Sequence, residues 1–179
     1  MLVAGMAPTP QRIRLLPDDV ANKIAAGEVV ERPASVVKEL MENALDADTS
    51  RIEVAIVNGG TRLVSVSDNG CGMNRDDALL CLERHATSKI RTADDIEHIG
   101  TMGFRGEAMA AIASVSRLRL ATCERDTTGG TEIVVNGGKL GDVREVGVPS
   151  GTCVEVRDLF FNIPARRKFL RTHQTELGH

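Results

Sequence analysis

Apolar residues recur at helical spacing through residues 33–46. Val36, Val37, Leu40, Met41 and Ala44 fall on one side, and Glu39, Glu42, Asn43 and Asp46 form a polar stripe on the other. Pro33 suits the first turn of this helix, where a missing N–H leaves no bond unmade. An earlier helix is predicted over VANKIAA, with Asp18 and Asp19 as starting residues and Gly27 as its stop. The period then switches to two. Ile52, Val54 and Ile56 alternate through RIEVAIV, Asn58-Gly59-Gly60 signals a turn, and RLVSVSD returns as the second strand of a hairpin. Residues 76–84 read as helical, 87–101 as polar and irregular, and 107–114 as a helix of small residues. Three or four strands follow: RLRLAT, TEIVV, a shorter one near Val143 to Val146, and TCVEVRD. Gly129-Gly130, Asn136-Gly137-Gly138 and Pro149-Ser150-Gly151 separate them. Helices first and strands gathered afterwards predict an α+β fold, one mixed, largely antiparallel sheet with helices layered on one face.

Composition narrows the picture. A chain of 179 residues with 42% hydrophobic and 26% charged residues can build one domain with a real core. Aromatics make up 2%, with no Trp or Tyr, so the core is expected to be mostly aliphatic, and stacking recognition of single strands lacks its usual platforms. The net charge of −3 confines any DNA contact to a local patch. No apolar run approaches the roughly 20 residues that span a bilayer. MLVAGMAPTPQ lacks the basic region and long apolar core of a secretory signal, so residues 1–14 are expected to be a flexible leader, with Met6 as an alternative start. Cys71, Cys81, Cys123 and Cys153 show no C-x-x-C pairing and are expected to be buried, reduced thiols of a cytoplasmic protein.

The candidate chemistry sits on these elements. Glu39 and Asn43 are four residues apart, one above the other on a helical face. A carboxylate that could take a proton from water therefore lies beside an amide oxygen that could ligate a hard cation; taken alone, the stripe reads more readily as a solvated face. Downstream, VSVSDNGCGM places Asp68, Gly70 and Gly72 behind a strand, and RHATSKI and MGFRGEAM follow. Ionised Asp68 only accepts hydrogen bonds, which suits an exocyclic amine and repels a carbonyl. Gly70 and Gly72 allow a sharp turn and a close backbone approach. Thr87 and Ser88 are hydroxyl donors or ordinary caps, and His85 a structural hydrogen-bonder. Gly103, Phe104, Arg105 and Gly106 precede a helix, whose first N–H groups suit phosphate. Arg166, Arg167, Lys168 and Arg171 could touch DNA phosphates, although a solvated helix face, anchored by Phe169 and Leu170, is the favoured reading.

A helix with Glu-x3-Asn, then Asp-x-Gly-x-Gly, then a glycine-flanked stretch before a helix resembles the Bergerat-type ATP site of the GHKL superfamily. Within it, IAAGEVVERPASVVKELMENALDA, DNGCGM, RHATSKI, GFRGEA and LFFNIPARRKFL resemble the MutL family of mismatch-repair ATPases, from about Leu15 to the chain's end. The resemblance implies an α/β sandwich over residues 15–179 with the nucleotide between helices and sheet. It implies Glu39 as general base, Asn43 as Mg²⁺ ligand, and Asp68, Gly70, Gly72 and Met73 at the adenine. Thr152 falls on the family's adenine-side threonine, while His85, Thr87, Ser88 and Lys89 form a second polar loop. Gly103 to Gly106 would be a lid over the triphosphate. ATP and Mg²⁺ are the implied cofactors. The implied partners are a MutS-like protein, a repair nuclease or helicase, DNA without sequence preference, and a second copy of the protein in the ATP state. The location is cytoplasmic, at the nucleoid. Such proteins continue into a second α/β domain, which supplies a lysine to the γ-phosphate, and a dimerisation domain. The chain is therefore expected to be a poorly active fragment. A gyrase-type ATPase, or a nucleotide-binding fragment without turnover, is the alternative.

Overall fold

The computed structural model describes residues 15–84, 86–87, 106–170 and 172–178. Six strands form its sheet: β1 (Ile52–Val57), β2 (Leu63–Asp68), β3 (Arg117–Cys123), β4 (Gly130–Asn136), β5 (Lys139–Val146) and β6 (Gly151–Arg157). Their order is β1-β2-β6-β3-β4-β5, and every described pairing is antiparallel. The last strand enters the middle of the sheet, so Thr152 stands opposite both Asp68 on β2 and Thr122 on β3. Alternation across each strand puts Val64, Val66, Leu118, Leu120, Ile133, Val135, Val154 and Val156 on one buried face. The helices α1 (Asp18–Val29), α2 (Pro33–Asp46), α3 (Arg75–Leu80) and α4 (Ala108–Ser114) cover it with Ala26, Val36, Leu40, Ala78 and Ile112. Beyond the sheet come α5 (Pro164–Phe169) and α6 (His173–Leu177). The core is aliphatic apart from Phe160, the largest fully buried side chain. The opposite face of the sheet is polar, with Glu132 gripped by Arg119 and Arg144 at 2.7 Å each.

This is the expected α+β arrangement, and the differences from expectation have local causes. Gly27 does not stop α1, which continues to Val29. Arg166 donates to the carbonyls of Gly27 at 2.7 Å and Val30 at 2.8 Å, satisfying acceptors that a helix end leaves orphaned. A Cβ on Gly27 would collide with that guanidinium, so the glycine serves clearance. On α2, Val36, Leu40 and Ala44 are buried as expected, whereas Met41 is exposed. Strand β1 is an edge strand, and its Val54 and Ile56 remain exposed despite their alternation. Helix α3 ends at Leu80, before the expected Arg84, because the chain tightens into turn bonds from Leu82 N–H to Leu79 and from Glu83 N–H to Leu80. Strand β5 is longer than expected. Gly137 and Gly138 both take positive φ (57° and 83°), a two-residue hairpin turn that resumes the strand at Lys139. Cys71 lies exposed in a loop and Cys123 is buried. Phe169 is 86% exposed and anchors nothing among the described residues. No helix of the described residues is long and apolar enough to cross a membrane. The leader, residues 1–14, lies outside the described residues.

Arg166 therefore belongs to the fold, unlike its exposed neighbours Arg167 and Lys168. Arg166→Ala is expected to cost roughly 2 kcal/mol, seen as a drop of several degrees in thermal midpoint, while Arg167→Ala leaves the midpoint within about a degree. Equal effects in a melting experiment would contradict the clamp.

Candidate functional site

Where the inner strands end, their apolar face gives way to a polar row. Asp68, Thr152, Thr122 and Thr131 stand in register across β2, β6, β3 and β4. Asp68 is the last residue of β2. Its Oδ1 accepts from Gly70 N–H at 2.8 Å. Burial pushes its carboxyl above the usual aspartate range, and the nearby backbone N–H groups of Gly70 and Thr152 pull the other way. The result is an oriented, half-buried acceptor at the sheet's end.

The loop after Asp68 is pinned on both sides. Toward α2, Cys71 N–H donates to Ala47 O at 2.9 Å, and a Cβ on Gly70 would sit 2.6 Å from that oxygen. Asn69 Oδ1 accepts from Thr49 Oγ1 at 2.6 Å, Arg51 N–H at 2.9 Å and Ser50 N–H at 3.1 Å. Toward β3, Arg125 N–H donates to Cys71 O at 3.1 Å, and Met73 N–H to Thr122 Oγ1 at 2.9 Å. Gly72 has φ +69°, and a Cβ there would collide with the Cys123 carbonyl. Both glycines of Asp-x-Gly-x-Gly are thus required by backbone approaching backbone. Met73 packs, partly buried, against the core.

The helix that carries Glu39 and Asn43 ends at this loop, since Ala47 directly follows α2. Both side chains are half-buried. Lys38 Nζ lies 3.7 Å from Glu39 Oε1 and 2.8 Å from Glu42 Oε1, so the cation is held mainly by Glu42. Thr87 and Gly106 form a second meeting point beside the start of α4. Gly106 has φ +59°, and a Cβ there would lie 2.5 Å from Ala86 O and 3.1 Å from Thr87 Cβ. Ser88, Lys89, Gly103, Phe104 and Arg105, like His85, lie outside the described residues. Asp68, Gly70, Gly72, Met73 and Thr152 are therefore brought together directly, with Glu39 and Asn43 joined through α2. A cavity of about 490 Å³ between α1, α3, α4 and the β4–β5 hairpin is a different place; Glu39, Asn43, Asp68 and Thr152 are not on its walls. Sequence reasoning missed Thr122 and Asn69. For Thr122 a signal existed, a hydroxyl where the inward series Leu118, Leu120 demands an apolar residue.

Residues 31–140 match the model of the histidine kinase-, DNA gyrase B- and HSP90-like ATPase family. The chain belongs to this family. The matched span holds Glu39, Asn43, Asp68, Gly70, Gly72, Thr87 and Gly106; Thr152 lies beyond it. Among curated relatives, the chain is 61% identical over 169 residues to the DNA mismatch repair protein MutL of Syntrophotalea carbinolica, covering 94% of this chain and 27% of the relative. It is 61% identical over 170 residues to MutL of Geobacter sulfurreducens, covering 95% and 28%. The chain thus spans about a quarter of these relatives' length. Among solved structures, the Aquifex aeolicus MutL ATPase domain complexed with ADP is 41% identical with TM-score 0.65, over 83% of this chain and 51% of that one. The N-terminal domain of a DNA repair protein is 26% identical with TM-score 0.71, over 88% and 45%. Within the ATPase family, the similarity is to the N-terminal ATPase domain of MutL.

The raised Asp68 carboxyl has a measurable consequence for the stability of the chain. A group whose folded pKa lies above its unfolded value favours folding while protonated. That contribution is complete below the ordinary aspartate pKa and disappears as pH rises through the raised one. Chemical denaturation across this interval is expected to show an Asp68-dependent loss of stability with rising pH, absent in Asp68→Asn. The same slope in both proteins would contradict it.

Proposed function

We propose that the chain binds ATP in the pocket headed by Asp68 and, in a protein of its relatives' length, hydrolyses it as the motor of a MutL-like mismatch-repair switch. The observation that carries the reading is the Asp68 carboxylate, half-buried at the end of β2 and oriented by the Gly70 N–H, with its remaining lone pairs suited to an adenine amine. Membership of an ATPase family supports it. So does the similar Aquifex domain, whose structure holds ADP.

Hydrolysis needs a placed water, charge stabilisation on the phosphates and an anchored base. Asp68 and Thr152 hold the base, and Gly70 and Gly72 let the loop approach it. Met73 would pack beside it. Glu39 takes the proton from the attacking water. Asn43 offers one amide oxygen to Mg²⁺, a fitting donor because that ion keeps several waters and phosphate oxygens and takes few protein ligands. The bound ion supplies positive charge to the phosphate oxygens. Thr87, Ser88, Lys89 and the run from Gly103 to Gly106 are assigned to the phosphate side. A lysine from a further domain completes charge stabilisation, so the 179-residue chain alone turns over slowly. On the same reading the longer protein dimerises with ATP and couples a MutS-like partner to a nuclease or helicase, in the cytoplasm at the nucleoid. DNA contact is non-specific and owes little to the run after Pro164, where Arg166 is committed to α1.

Glu39 and Asn43 separate chemistry from binding. In a protein of the relatives' full length containing this chain, Glu39→Ala is expected to keep ATP affinity within about threefold and lose roughly 10²-fold or more in turnover. Asn43→Ala should weaken Mg²⁺-dependent binding itself. Steady-state ATPase rates with nucleotide titration decide the matter; parental turnover by Glu39→Ala would remove it as the base.

A further inference from the structure

We infer that Thr122, behind the pocket, is a positioning residue for base recognition: its hydroxyl fixes the direction of the Thr152 hydroxyl so that an acceptor faces the base beside Asp68. The inference rests on the adenine reading above and adds to it the source of the pocket's polarity.

The argument is a count of protons. Thr122 is fully buried, at the last inward position of β3. A threonine hydroxyl has one proton to donate and two lone pairs. Met73 N–H takes one lone pair at 2.9 Å. The proton goes to Gly151 O at 3.1 Å, a carbonyl that only accepts. Thr152 Oγ1 is 2.9 Å away, and with the Thr122 proton already spent that contact is a hydrogen bond only when Thr152 donates. Thr152 then has no proton left for a ligand, and its oxygen offers lone pairs alone.

The neighbouring residue in the row has the same polarity. Asp68 pairs with Thr152 across β2 and β6, on the same inward face, and when ionised it also only accepts. Two adjacent acceptors favour an amine edge and repel the carbonyl that guanine presents there. Thr122 reaches the base pocket from two directions, through Thr152 and through the Met73 amide that ends the glycine loop. It touches no ligand in this arrangement and acts only through those neighbours. The cost of its loss should fall on discrimination, because a site with mis-set donors leaves polar groups unpaired against its proper ligand.

The test is titration of the full chain with ATP and with GTP, up to millimolar nucleotide, alongside melting midpoints and amide exchange at Met73. Thr122→Val removes the hydroxyl and keeps the branched shape; Thr122→Ser restores the hydroxyl. Thr122→Val is expected to weaken ATP about tenfold and GTP by much less, shrinking the ATP preference, and to speed exchange at Met73. Thr122→Ser should return both to the parental values. In a Thr152→Val background, Thr122→Val should reduce the ATP preference no further. If Thr122→Val does not fold, Thr122→Ala carries the same comparison. ATP and GTP weakened in equal proportion, or an ATP preference that survives in Thr122→Val, overturns the proposal alone. Equal affinities for ATP and GTP in the unsubstituted chain would instead overturn the adenine reading beneath it.

Discussion

The site depends on the close approach of three backbone segments: the end of α2, the loop after β2 and the end of β3. Cys71 bonds to Ala47 on one side and to Arg125 on the other, and Gly72 lies so near the Cys123 carbonyl that no side chain fits. That contact fixes where the loop runs, and the loop fixes Asp68 through Gly70 N–H. Because Ala47 follows α2, the same contact places the end of the helix bearing Glu39 and Asn43 beside the loop. One steric constraint thus holds the proposed base-recognition end and the candidate hydrolytic residues in a single frame.

The sheet gives that frame its rigidity. Insertion of β6 between β2 and β3 brings Thr152 against Asp68 and Thr122, three residues from distant parts of the chain, in one row. Below the row lies the aliphatic core, where each buried leucine or valine contributes roughly 1.5–3 kcal/mol relative to exposure. The half-buried Asp68 charge works against stability, and the core and the Gly70 N–H offset it. This division suits a binding site, in which an apolar layer carries the fold and a polar edge carries selectivity.

Much of this was legible in the sequence, and the gaps have physical causes. The helix 33–46, the hairpin closed by Asn58-Gly59-Gly60 and the strands around Leu118, Ile133 and Val154 follow from periodicity, which local patterns encode directly. The strand order does not, because nothing local says that 151–157 inserts between 63–68 and 117–123. Gly27 read as a helix stop because its partner, Arg166, lies about 140 residues away, and the same distance hid the structural use of that arginine. Asp68, Gly70 and Gly72 were visible as a spaced motif. Thr122 left only the trace of a hydroxyl in an apolar series, and its importance arises only when Met73, Gly151 and Thr152 converge on it.

The central claim is that Asp68 accepts a hydrogen bond from the adenine amine. It is tested most directly by comparing ATP with purine riboside triphosphate, which lacks only that amine, on the parental chain and on Asp68→Asn. Loss of the amine is expected to weaken binding about tenfold or more in the parent and to cost almost nothing further in the variant. Equal penalties in both proteins, or none in the parent, would contradict the account.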